Sequence, residues 1–147
     1  MRVISGTARG RRLVAPGGPS TRPTSDRVRE ATFNALGSLG AVVDANVLDL
    51  FAGSGALGIE ALSRGAAHVT FVDHDRAAIE AVETNLATCG LVERATVVTS
   101  PVDRYLAAAI RGTQRFDLAL VDPPYDWDHE AWLDLAERLP ADLAVME

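Results

Sequence analysis

One stretch, Val47 to Glu60 (VLDLFAGSGALGIE), constrains this chain more than any other. It reads as a buried strand, a tight glycine turn and the first turns of a helix. Val47, Leu48, Leu50 and Phe51 form the short apolar run expected of a strand covered on both faces. Gly53 and Gly55 permit a sharp turn and let a ligand approach the main chain where a Cβ would obstruct it. The helix that follows is expected to aim free N–H groups and the positive end of its dipole at the same space. A small polar ligand is therefore expected over residues 51 to 56. Gly53-x-Gly55-x-x-Gly58, with Asp73 twenty residues beyond Gly53, also fits a dinucleotide fingerprint. Asp49 tilts that reading. A carboxylate four residues before the first glycine suits a cationic or ammonium-bearing ligand and is awkward beside a pyrophosphate.

Around this stretch the chain alternates strand and helix. Strands are expected over 46–51, 68–73, 95–99 and 116–121, with a fifth from 142 to 146. Helices are expected over 56–64, from Asp75 to Gly90, over 102–111 and over 129–138. Asp75 caps the second of these, whose buried face is Ala78, Ile79, Val82 and Leu86; Gly90 closes it. Repeated strand–helix–strand units require an α/β fold with a parallel sheet and right-handed crossovers. Upstream, residues 2–5 and 12–15 read as the two strands of a small hairpin with arginines at its turn, and 16–20 as a loop. Thr24 or Ser25 caps a helix with apolar residues Val28, Ala31, Thr32, Ala35, Leu36 and Leu39, ended by Gly37 or Gly40. The chain divides into a basic hairpin-and-helix extension, 1–40, and a core, 41–147.

Charge is distributed unevenly. The net charge is −6, and all 14 basic residues are arginine. Residues 1–30 carry seven of them, Arg2, Arg9, Arg11, Arg12, Arg22, Arg27 and Arg29, against only Asp26 and Glu30. A basic arm on an acidic body points to a polyanion, with those arginines as its contacts. No apolar run approaches bilayer length, no signal-peptide pattern is visible, and the single cysteine, Cys89, excludes an internal disulfide; a cytoplasmic protein is expected. His68, His74 and His129 have no metal-ligand spacing with Cys89, so no metal is expected.

Asp122-Pro123-Pro124-Tyr125 ends the fourth strand. Two prolines remove two donors and fix two φ angles, leaving a stiff corner with outward carbonyls. An aspartate carboxylate and a proline carbonyl only accept hydrogen bonds. Together they suit the exocyclic amine of a nucleobase, a poor nucleophile whose lone pair is localised when its hydrogens are held. Tyr125 offers a flat face to an unpaired base. Trp127 and Trp132 either add aromatic surface there or pack in the core.

The glycine stretch and the Asp-Pro-Pro-Tyr corner together resemble the S-adenosylmethionine (SAM) site of class I methyltransferases, which implies a Rossmann-like fold. In open parallel sheets ligands collect at the carboxyl ends of the strands. Asp49, Phe51, Gly53, Ser54, Gly55, Asp73 and Asp122 would then face one crevice. By that resemblance Asp49 and the Gly53–Gly55 backbone hold the methionine end of SAM. Asp73, followed by His74, accepts from the ribose hydroxyls, and the chain after strand three, with Val102 and Asp103, lies by the adenine. Pro101 departs from the Asp or Asn that related enzymes often carry there. Such enzymes usually add two antiparallel strands after strand five. This chain stops at Glu147, and a truncated chain is expected rather than one that natively lacks those strands, since strand five would otherwise be an exposed hydrophobic edge.

Two further pieces narrow the resemblance: Met1-Arg2-Val3-Ile4-Ser5-Gly6 with Gly10-Arg11-Arg12-Leu13, and Arg22-Pro23-Thr24-Ser25-Asp26-Arg27-Val28-Arg29-Glu30-Ala31-Thr32-Phe33-Asn34. With them the chain resembles the RsmD-like bacterial family that methylates guanine N2 in 16S ribosomal RNA. The resemblance implies that Asp122, Pro123, Pro124 and Tyr125 are catalytic. It implies that the arm grips 16S rRNA, within a small subunit or an assembly intermediate. It also implies that segment 22–34, including Thr24, helps cover SAM, and that the chain works as a monomer. Three alternatives stand beside it. A DNA adenine-N6 or cytosine-N4 methyltransferase shares the Asp-Pro-Pro-Tyr chemistry but usually needs a target-recognition region, for which this chain has no room. A nicotinamide-dependent oxidoreductase has no use for Asp49 or the proline corner. A non-catalytic RNA-binding assembly factor has no use for an intact Asp-Pro-Pro-Tyr.

Overall fold

Val47, Leu48 and Leu50 are fully buried because their strand lies in the middle of a five-stranded sheet. A computed structural model describes residues 1–17, 25–124 and 126–146. Within them the strands are β1 (Asn46–Leu50), β2 (His68–Asp73), β3 (Ala95–Thr99), β4 (Phe116–Val121) and β5 (Ala141–Met146). The helices are α1 (Asp26–Ser38), α2 (Ala56–Ser63), α3 (Arg76–Cys89), α4 (Val102–Arg111) and α5 (His129–Arg138). These strands all pair in parallel, in the order β3-β2-β1-β4-β5. The alternation of apolar runs and helical periods is thus realised as an α/β, Rossmann-like sheet with helices on both faces.

Alternation along β1 and β4 divides the core. Val47, Leu118 and Leu120 pack with Ile59, Leu62, Val82 and Leu86 of α2 and α3. Leu48, Leu50 and Val121 pack on the other face with Leu106 of α4 and Leu135 of α5. Each such fully buried side chain contributes about 1.5–3 kcal/mol. The order reverses between β1 and β4, which stay paired to their last residues, so the connections leaving their carboxyl ends run to opposite faces of the sheet, the place where a crevice forms.

The N-terminal arm differs from the expected hairpin. Among the described residues only Arg2 and Arg12 form an antiparallel bridge, supported by Val3 N–H to the Arg11 carbonyl and Leu13 N–H to the Met1 carbonyl. Residues 2–5 and 12–15 are not strands because side chains of the core intercept their backbone groups. The Glu60 carboxylate accepts from the N–H groups of Ile4 and Ser5 at 2.9 and 3.1 Å. Ser63 Oγ accepts from Ala8 N–H and donates to the Ser5 carbonyl. Val3, Ala8 and Leu13 are buried in the same apolar cluster as α2 and α3.

In α1, Ser25 caps as expected, its hydroxyl accepting from Val28 N–H, and Gly40, at φ +68°, follows the helix end. Its inward face keeps Leu36 but is otherwise not the expected one. Arg29, Phe33 and Leu36 are buried, whereas Val28 and Leu39 are 46% and 71% exposed. The helix is rotated because Arg29 reaches into the core to meet Glu60, Asp26 and the Arg2 carbonyl. Glu60, itself fully buried, also takes Arg64 at 2.7 Å. A buried carboxylate is tolerable only when so fully compensated.

Candidate active site

β1 ends at Leu50, and Phe51 turns the chain out of the sheet at φ +57°. Gly53 and Gly55 continue the turn at φ +60° and +81°, a region that glycine enters at no steric cost. Gly58 serves a different purpose. A Cβ there would run into the Phe71 ring and stand 2.9 Å from Asp49 Oδ2, so its lack of a side chain lets α2 lie close against β1 and β2.

The turn is largely satisfied from within. Gly53 N–H donates to Asp73 Oδ2 at 3.0 Å, Gly55 N–H to the Ala52 carbonyl, Ala56 N–H to Ser54 Oγ and Gly58 N–H to Asp49 Oδ2 at 3.0 Å. The expected row of free N–H groups at the start of α2 is therefore reduced, because neighbouring strand ends supply acceptors. Asp73 joins its own strand end to the glycine turn and to Asp75 N–H at 2.9 Å. His74 lies beside it, largely exposed, with Nδ1 3.8 Å from Asp73 Oδ1.

Three carboxylates share this end of the sheet. Burial pushes the Asp49 carboxyl well above the usual carboxylate range. The Gly58 N–H opposes that shift, and the nearby charges of Asp122 and Asp73 add to it. A neighbourhood so rich in negative charge fits a cation such as a sulfonium or ammonium group. It does not fit a pyrophosphate.

The proline corner closes the crevice on the β4 side. Asp122 is half-buried, Pro123 buried and Pro124 exposed. The Pro124 carbonyl accepts from Trp127 N–H at 3.0 Å, so of the two proline carbonyls it is already engaged in the turn. The Trp127 ring meets Phe51 edge-on, with centroids 4.8 Å apart. The two distant turns thus open side by side. A cavity of about 650 Å³ lies elsewhere, against Ser63, Arg64 and Gly65 at the far end of α2.

The family described as Conserved hypothetical protein 95 matches residues 1–142. The chain belongs to that family. Ribosomal RNA small subunit methyltransferase D of Escherichia coli is 48% identical over 125 residues, covering 85% of this chain and 60% of the relative. The chain therefore spans less than two thirds of that relative's length. Among solved structures, TTHA0928 of Thermus thermophilus superposes with a TM-score of 0.87 at 34% identity, covering 97% of this chain and 80% of that one. SMU.776, solved in complex with SAH, gives a TM-score of 0.58 at 25% identity over 67% of this chain and 25% of its own.

Several residues of this family member fall differently from expectation. Val102 is buried in the apolar cluster around Leu106, so its side chain is spent on packing. Asp103 points to Arg138 of α5 at 3.0 Å, because α4 and α5 cover the same sheet face. Arg29 is wholly buried and ion-paired, which removes it from the expected RNA contacts. Arg2, Arg9, Arg11, Arg12 and Arg27 are exposed. Thr24, Arg22 and Tyr125 lie outside the described residues. Sequence reasoning missed Glu60 and Asn85, both buried. A lone acid in the otherwise apolar ALGIEALS of α2 was the available signal for the first; Asn85 carried none.

Proposed function

We propose that this chain is the SAM-binding and methyl-transferring part of an enzyme that methylates the N2 amine of a guanine in 16S ribosomal RNA. One observation carries the reading: the carboxylates of Asp73 and Asp122 each lie within electrostatic reach of Asp49, where the glycine turn meets the proline corner. The 48% identity to ribosomal RNA small subunit methyltransferase D of Escherichia coli supports the same chemistry.

Bound SAM supplies an electrophilic methyl group carried on a sulfonium. The residues of this chain do the rest. Asp49 and Asp73 hold the positively charged and hydroxyl-bearing parts of the cofactor, while Gly53 and Gly55 keep Cβ atoms out of its way. Asp122 and the Pro123 carbonyl accept the two hydrogens of the guanine amine, which localises its lone pair and aims it along the line of transfer. The proton lost on methylation leaves toward the Asp122 carboxylate. Tyr125 stacks on the target base. Residues 1–40, with Arg2, Arg9, Arg11, Arg12 and Arg27 outward and with Arg22 as a further contact, grip the RNA against the 41–147 core. The protein acts as a cytoplasmic monomer on the small subunit or an assembly intermediate.

The test is methyl transfer from labelled SAM to unmodified small ribosomal subunits, followed by nucleoside analysis and mapping. N2-methylguanosine at one position of 16S rRNA is expected. Label on adenine or cytosine, or transfer to duplex DNA in preference, refutes the guanine assignment.

A further inference from the structure

Asn85 has no part in the chemistry above, yet it is 1% exposed and makes three hydrogen bonds. Its Oδ1 accepts from Val14 N–H at 2.8 Å. Its Nδ2 donates to the Val14 carbonyl at 2.9 Å and to the Ser54 carbonyl at 2.8 Å. An amide that exchanges both bonds with one residue's backbone acts as a ladder partner for that residue. Here the remaining N–H ties the same point to the middle of the glycine turn. Both partners are main-chain groups of other segments, so packing of α3 alone does not call for an asparagine. An apolar residue of the same volume would leave three backbone groups without this partner. The other end of the arm meets the same turn residue, with Met1 Sδ 3.9 Å from Ser54 Oγ. Beyond Val14 a cleft of about 280 Å³ opens between residues 14–17 and Ala77, Glu80, Ala81 and Thr84 of α3. The Asn85 amide therefore marks the place where the arm parts from the helix.

We propose that Asn85 is a positioning residue that couples the basic arm to the glycine turn, so that order in the arm and affinity for the cofactor rise and fall together. The inference rests on the SAM-binding reading of the turn. Coupling of this kind is reciprocal. A cofactor that fixes the Ser54 carbonyl steadies Val14 and the arginines before it, and RNA that steadies the arm tightens the cofactor.

The test reads SAM binding by calorimetry and tryptic cleavage at Arg9, Arg11 and Arg12, in wild type and in Asn85→Ala. Wild type binds SAM, and saturating SAM slows cleavage of the arm severalfold. In Asn85→Ala, with a native circular dichroism spectrum, the Kd for SAM rises roughly 5- to 150-fold and the slowing disappears. Val14→Pro removes the Val14 donor, fixes φ there and restricts Leu13, and it keeps the Asn85 side chain. It carries the test if Asn85→Ala does not fold, and it shows the same loss on a smaller scale. Unchanged affinity with retained protection in a folded variant overturns the coupling and leaves the SAM reading standing. A wild type that binds no SAM overturns both.

Discussion

Phe51 and Trp127 meet edge to face, with ring centroids 4.8 Å apart and planes inclined at 82°. One residue leaves β1 for the glycine turn, and the other closes the proline corner. Phe51 takes a left-handed φ to do so, a conformation that costs a non-glycine residue of order 1–3 kcal/mol. The contact is therefore a joint between the glycine turn and the proline corner.

Trp127→Ala removes an edge-to-face pair worth about 0.5–1.5 kcal/mol beyond its buried area. The corner loosens without loss of the sheet. Methyl transfer is expected to fall about tenfold, mainly in kcat, with SAM affinity changed by less than about threefold. Steady-state kinetics beside calorimetry check this; an equal loss in both places the residue in cofactor binding instead.

Asp122→Asn keeps the side chain's size and replaces one acceptor by a donor, which faces the hydrogens of the amine. A contact that strengthens in the transition state lowers kcat and kcat/KM together when removed. The expected loss is on the order of 10²–10³ in kcat. RNA binding, read by filter retention, stays at the wild-type value. Unchanged turnover rules out the role.

Asp49 links stability to pH. Burial raises its carboxyl above the reference value of 3.8. Between that value and the raised one, the folded protein holds a proton that the unfolded chain has lost. Stability therefore falls as pH rises through this window. Asp49→Asn can still accept from Gly58 N–H and has no proton to lose. The variant's melting temperature is expected to lack that decline and to exceed wild type at the upper end of the window. Affinity for SAM is expected to rise with pH in wild type and to be weak and flat in the variant. Melting curves with parallel pH slopes for the two proteins contradict the assignment.

The arginines separate into two kinds. Arg29→Met leaves the buried Glu60 carboxylate with less compensation and is expected to cost about 3–5 kcal/mol in chemical denaturation. Joint replacement of the exposed Arg9, Arg11 and Arg12 by alanine leaves stability within about 0.5 kcal/mol per site. It is expected to weaken RNA binding and to reduce the slope of log K against log salt by roughly 0.7–0.9 for each phosphate that is no longer neutralised. A salt slope identical to wild type removes the arm from the RNA grip.

Much of the fold was legible from residues close together in the chain. Strand and helix limits followed from apolar runs, from Asp75 as a cap and from Gly90 as a stop, because period, capping and turn chemistry operate over a few residues. The parallel sheet followed from the alternation, and the nearness of Asp73 and Asp122 to Asp49 from their places at strand carboxyl ends. What each polar group does with its hydrogen bonds was not legible. Arg29 looks like Arg27 in sequence, yet one is in the core and the other at the surface, because Glu60 of α2 meets only the first. The glycine turn spends its N–H groups on Asp73, Asp49, Ser54 and Ala52, and Asn85 reaches Val14, because folding brings those partners near. Local sequence determined the elements and where their chemistry collects. Tertiary structure alone decided which charges are buried and which donors are spent, since hydrogen-bond partners are set by proximity in space and not along the chain.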